Sequence, residues 1–314
     1  MKRFKKILFV YDPDSEKGPA FERARELAAE NKAELLIFQV LEEYPMAAQM
    51  MALSSVEGNF EKEILSEAYN ALEEIASPLK AEGIKASVKV VTGVPFLEII
   101  QEVLQTGHDL VMVTPRIQGR LKDILFGSRV MHLMRKCPCP VWAFNPQQRK
   151  RYGRIMAAVD VAPPDERGHS LNMSIMEMAS SLAEIEGCEL HVIHCWQPHH
   201  EGTLRYRSGL KQEQVDDIIK ETRKTHKEQT RALVEKFPLK KGTLSLHVVE
   251  GDPKEKIPEE AQKRRIDLVV MGTVIRTGLS GFFIGNTAEK VLRELDCSVL
   301  AIKPEGFESP VKLD

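Results

Sequence analysis

The chain has 314 residues, 43% of them apolar and 29% charged, and a formal net charge of −2. That length supports two domains with cores of their own, and the near-neutral balance excludes a general electrostatic pull toward nucleic acid or membranes. No stretch approaches the ~18 apolar residues of a membrane-crossing helix. The opening "MKRFKKILFVYD" joins a basic head to an apolar run that stops at Asp12, too short for a signal-peptide core, so 6–11 reads as a first strand. Apolar runs at 34–40, 86–91, 109–114 and 140–144 give four more strands. A basic stretch, "QQRKRYGR" (147–154), then reads as a solvated linker rather than a nucleic-acid patch. Beyond it the pattern alternates: strand 154–159, helix 169–186, strand 189–195, helix 211–236, strand 244–249, helix 254–265, strand 267–272, helix 285–295 and strand 297–302. Strands rich in Val, Ile and Leu, separated by helices, indicate a parallel sheet covered on both faces. Right-handed crossovers make each such sheet a doubly wound α/β sandwich, with its ligand crevice at the strand C-terminal ends.

The halves repeat. "GVPFLEIIQEVLQTGHDLVMV" (93–113) matches "GDPKEKIPEEAQKRRIDLVVM" (251–271), with Gly93 and Gly251 158 positions apart. The same spacing holds without a gap through Gly127/Gly285, Cys139/Cys297 and Pro146/Pro304. Asp12 and Asp160, each closing a first strand, lie 148 apart, so the second half carries 10 extra residues between its first and third strands. A period this long marks duplicated domains rather than a solenoid, whose units run roughly 20–50 residues. The reading is a first domain over 1–147, a second over 148–306 and a tail at 307–314.

Candidate chemistry centres on "VVMGTVIRTGLSGFFIGNT" (269–287), where a strand, a glycine-dotted loop and a helix start follow one another. Backbone N–H groups at a helix N-terminus favour anions, and Gly285, Asn286 and Thr287 supply them, as Gly127 and Ser128 do in the first half. Ser, Asn and Thr are equally the usual helix caps. Asp12 and Asp160 contact a ligand or merely turn the chain. The chain has no G-x-x-x-x-G-K-[ST] loop, and Asp267 begins its strand, on the edge away from the crevice. No catalytic residue is expected, and slow ATP hydrolysis is the most the residues allow. "CPC" (137–139) lacks the two-residue spacing of a metal or redox pair. The histidines of "HVIHCWQPHH" (191–200) read as satisfied or solvated, with His191 and His194 on opposite strand faces. Five dispersed cysteines suit a reducing, cytoplasmic setting. Two loops leave the crevice edge: 42–60, with Met46, Met50 and Met51, and 196–210, with Trp196, Arg205, Tyr206 and Arg207. They read either as surface loops or as lids over an apolar or amphiphilic ligand.

The strand-end aspartates, the loop after each fourth strand and the closing "CPVWAFNP" and "CSVLAIKP" resemble the universal stress protein family in both halves. The resemblance implies two Rossmann-like domains of the adenine nucleotide alpha hydrolase type, each with five parallel strands in the order 3-2-1-4-5. It further implies pairing of the domains through their fifth strands and allows a homodimer. The implied activity is non-catalytic stress response, with ATP or another phosphate-bearing small molecule as ligand and no metal beyond the Mg that accompanies a nucleotide. Asp160 then reaches the adenine or its sugar, and Cys195 the base. Gly272, Thr273, Arg276, Gly278, Gly285, Asn286 and Thr287 belong to the phosphate side. Asp12, Val40, Gly127 and Ser128 are the first-domain equivalents. The family signature, G-x-x-G-x9-G-[ST], is broken: Ile117 and Ile275 replace its second glycine, and Thr114-Pro115 stiffens the first loop. A β-branched residue resists positive φ, so Ile275 either forces another loop path or walls the site with methyls. The second reading is therefore a carrier of an apolar or amphiphilic molecule, and the first half is the weaker nucleotide candidate.

Overall fold

The computed structural model describes residues 4–13, 18–42, 60–115, 126–146, 151–162, 166–197, 211–237, 243–275 and 283–313. These gather in two compact units, one built from the chain up to Lys150 together with Phe307 onward, the other from Arg151 to Gly306.

The first unit contains strands β1 (Lys6–Val10), β2 (Glu34–Leu41), β3 (Lys85–Thr92), β4 (Leu110–Val113) and β5 (Val141–Ala143). All pair in parallel, in the order β3-β2-β1-β4-β5. Leu8 of β1 lies between Leu36 of β2 and Val111 of β4. Helices α1 (Pro19–Asn31), α2 (Phe60–Ala81), α3 (Pro95–Thr106) and α4 (Ser128–Lys136) fill the connections. Ile7, Leu35, Ile37, Leu110 and Val111 are fully buried at 0% exposure, each worth roughly 1.5–3 kcal/mol of transfer energy. The edge strand β3 carries Lys85 and Lys89, charges that discourage pairing with another chain.

The second unit repeats the plan. Strands β6 (Arg154–Ala158), β7 (Glu189–Trp196), β8 (Leu244–Glu250), β9 (Leu268–Gly272) and β12 (Ser298–Ile302) pair in parallel in the order β12-β9-β6-β7-β8. Its helices are α5 (Glu166–Glu186), α6 (Gln212–Val234), α7 (Pro253–Lys263) and α8 (Asn286–Glu294). In both units the strand order reverses beside the first strand, between β1 and β4 and between β6 and β9. That reversal opens the crevice at the strand C-terminal ends.

The repeat has local physical causes. Asp109 accepts from the backbone N–H groups of Lys5 at 2.7 Å and Lys6 at 3.1 Å. Asp267 does the same for Gly153 at 2.7 Å and Arg154 at 2.9 Å. Each aspartate thus ties the start of its unit's first strand to the fourth, at the edge away from the crevice. Gly93 and Gly251 recur because both adopt positive φ, 147° and 138°, just before a helix opened by proline.

Two stretches depart from the sequence expectation. Trp196, placed by sequence in a loop, ends β7 and is buried at 3% exposure. The glycine-dotted loop after β9 contains a short antiparallel ladder, β10 (Val274–Ile275) with β11 (Phe283–Ile284), in which Ile275 pairs with Phe283. An extended backbone is what a β-branched residue favours, so at Ile275 the chain runs straight.

Candidate ligand-binding site

In the second unit, β6 and β9 are neighbours with Ala158 opposite Met271, so the residues just beyond them, Asp160 and Thr273, share one edge. Asp160 is exposed. Its backbone is clamped by buried Asn172 of α5: the Asp160 N–H donates to Asn172 Oδ1 at 3.0 Å, and Asn172 Nδ2 donates back to the Asp160 carbonyl. One carboxylate oxygen accepts from the Ala162 N–H at 3.2 Å, a local turn contact. The clamp fixes the backbone while the side chain faces solvent. Behind it, buried His194 on β7 contacts the carbonyl of Val159 at 3.2 Å.

Gly285 is the N-cap of α8, with extended backbone and no side-chain cap. Its N–H donates to the Thr273 carbonyl at 3.2 Å, which docks the helix start against the end of β9. Asn286 is exposed and Thr287 half-buried in the first turn. The N-cap is a glycine and offers no side-chain acceptor, so the first-turn N–H groups receive no cap from it. Thr273 is fully buried, and its hydroxyl accepts from Lys303 Nζ at 2.7 Å. Lys303, at 6% exposure, was not singled out from sequence. The available signal was a lysine in "AIKP" where the first half has Asn145.

Gly272 lies at the end of β9, where a Cβ would meet Leu171 Cδ2 at 2.6 Å, so helix packing accounts for this glycine. Cys195 is half-buried near the end of β7, and burial, reinforced by Glu260 and Asp252, pushes its thiol up to about 12. It presents a neutral S–H, a packing group rather than a nucleophile. Arg276 and Gly278 lie outside the described residues, as do Ile117, Met46, Met50, Met51, His199, His200, Arg205, Tyr206 and Arg207.

The first unit solves the same positions differently. Asp12 is buried at 4% exposure and accepts from Arg129 Nη2 at 3.1 Å. Arg129 is the second residue of α4, after Gly127 as N-cap and exposed Ser128. Val40 is half-buried on β2. Pro115 is buried and has no N–H to offer a ligand. Among the described residues, no three His, Cys, Asp or Glu side chains are placed to hold a metal ion, and no helix is long and apolar enough to cross a membrane.

The universal stress protein family pattern matches this chain twice, over residues 3–145 and 151–303. The chain belongs to the universal stress protein family. Universal stress protein E of Escherichia coli K12 is 32% identical over 318 residues, covering 100% of this chain and 98% of that protein. Universal stress protein E of Photorhabdus laumondii is 30% identical, covering 99% of each chain. Among solved structures, a functionally unknown protein from Pseudomonas aeruginosa PAO1 superposes with a TM-score of 0.75 at 28% identity, over 97% of this chain and 94% of that one. A universal stress protein from Archaeoglobus fulgidus, at 19% identity and a TM-score of 0.62, covers 95% of this chain and 98% of its own and shares the fold.

Proposed function

We propose that this tandem universal stress protein is a non-catalytic stress-response factor whose second domain binds a nucleotide of the ATP type or another phosphate-bearing ligand. The carrying observation is the pairing, on one sheet edge, of an exposed Asp160 carboxylate with the side-chain-uncapped start of α8. The carboxylate accepts from hydroxyl or amino groups of a nucleoside, and the helix N–H groups favour its phosphates. Buried Lys303 donates to the Thr273 hydroxyl beneath the same turn. Pairing of the domains through their fifth strands is part of the same proposal and rests on the repeat and the family likeness alone. Cross-links that keep 139–144 and 297–302 apart would sink that part.

Calorimetric titration of the full chain with ATP tests the main reading. Saturable binding is expected, weakened at least tenfold by Asp160→Ala. A wild-type chain that takes up no ATP, or a variant that binds as tightly, rejects a nucleotide at this edge.

A further inference from the structure

The two halves offer an internal comparison at one position of the fold. Each first strand is followed two residues on by an aspartate at the strand-order reversal, and the second residue of the helix after the fourth strand holds the matching position in each half. In the second domain these residues are Asp160, exposed, and Thr287. In the first they are Asp12, buried, and Arg129, joined at 3.1 Å with side-chain exposures of 5% and 20%. Thr287 and Arg129 are 158 apart, the spacing of the gap-free repeat. Threonine carries no cation to offer an aspartate; Arg129 reaches Asp12 and donates a charge-assisted hydrogen bond.

A carboxylate at this edge is the natural acceptor for hydroxyl and amino donors. In the first domain that acceptor already has a covalently tethered cation on it, and a ligand must displace the guanidinium before Asp12 becomes reachable. Displacement strands a buried charge, which is strongly unfavourable. We propose that Arg129 is a specificity-determining residue that closes the first-domain crevice to ligands recognised through hydroxyl or amino donors, leaving the second domain as the binding half. The ligand side of this statement rests on the reading that these crevices take nucleosides; the closure itself does not.

Two reciprocal variants of the full chain, Arg129→Thr and Thr287→Arg, test it with two readouts. The first readout is carboxyl labelling by carbodiimide and glycine ethyl ester, mapped by mass spectrometry. Asp160 labels and Asp12 is protected in the wild type. Arg129→Thr raises Asp12 labelling at least fivefold, and Thr287→Arg lowers Asp160 labelling by a similar factor. The second readout is adenosine binding by ligand-observed NMR, chosen because adenosine bears the donors but no phosphate, so the loop after β4 is not engaged. Arg129→Thr gains an adenosine site that Asp12→Asn abolishes. Asp12 already labelled in the wild type, unchanged labelling in either variant, or an exposed Asp12 that gains no adenosine overturns the proposal. If Arg129→Thr fails to fold, Thr287→Arg decides alone: undiminished Asp160 labelling overturns it. A wild type that binds neither ATP nor adenosine sinks the nucleotide reading while the labelling arms still report on the closure.

Discussion

Leu171 packs against Gly272. A Cβ there would lie 2.6 Å from Leu171 Cδ2 and 3.2 Å from its Cγ, and the backbone is not in the left-handed region, so space rather than conformation is the constraint. The obstacle is the methyl end of half-buried Leu171, which can turn aside, so Gly272→Ala is expected to cost about 0.5–1.5 kcal/mol through an off-rotamer leucine. Leu171→Ala removes the obstacle, so the double variant should be more stable than the sum of the two single losses predicts. Urea melts of the four proteins measure this; strict additivity would show that the contact is not what selects glycine. The sequence placed Gly272 in the site by its position in the loop signature, because the residue it packs against is 101 positions away and unreadable from local pattern. The same distance effect hid Arg129 from Asp12 and Lys303 from Thr273. Residue types at the crevice were legible; their partners were not, since partners come from elements distant in the chain.

Strand and helix positions were far more legible, because periodicity and burial repeat over many residues. The strands of β6 to β9 and β12 fall within one residue of the apolar runs that announce them. The β10–β11 ladder escaped because two residues on each side are too few to show alternation. β7 is the element with the clearest chemical consequence. On one face His191 Nδ1 lies 2.9 Å from His247 Nε2 of β8, and on the other His194 Nε2 lies 3.0 Å from His226 Nδ1 of α6. Within each pair one nitrogen must donate and the other accept, so the accepting ring must be neutral and both rings of a pair cannot be protonated together. Burial lowers His191 and His194, and it pushes His247 down to about 4, helped by Arg264 and His191. A histidine depressed in the fold contributes stability that is complete above its ordinary value near 6.5 and is lost as pH falls toward the folded value. Wild-type urea stability should therefore drop between pH 7 and pH 5, and His247→Gln should drop about 1–2 kcal/mol less over that interval. Equal drops would mean that the β7–β8 pair is not the acid-sensitive contact.

Duplication fixed the architecture of the whole molecule and left the polar contacts free to diverge, which is why the fold was readable from the repeat and the acid response was not. The positions of His247, Glu260 and Ile266 are filled in the first domain by Lys89, Glu102 and His108. There Glu102 is buried, with His108 Nε2 at 3.8 Å from one oxygen and Lys89 Nζ at 2.5 Å from the other. His108 and Lys89 together hold that carboxyl down at about 2. The 3.8 Å separation is an ion-pair distance, too long for a hydrogen bond, so the lysine makes the tighter contact. A carboxylate depressed in the fold stabilises above its ordinary value near 4.5 and loses that contribution as pH falls from there toward 2. The second domain is thus exposed to acid through His191, His194 and His247 below about 6.5, and the first through Glu102 between about 4.5 and 2, with His132, lowered by burial and by Lys136 and Arg135, adding a contribution below about 6.5. Each domain carries one of the chain's two tryptophans, Trp142 at 0% exposure on β5 and Trp196 at 3% on β7. Trp142→Phe leaves a reporter of the second domain alone, and Trp196→Phe one of the first. The readout is the wavelength of the emission maximum rather than intensity, because His226 stacks on Trp196 at 5.4 Å and would quench it on protonation without unfolding. In an acid titration the red shift of Trp196 should come at higher pH than that of Trp142. Coincident midpoints, or the reverse order, would show that the two halves unfold as one unit and that the diverged polar contacts do not set their acid limits.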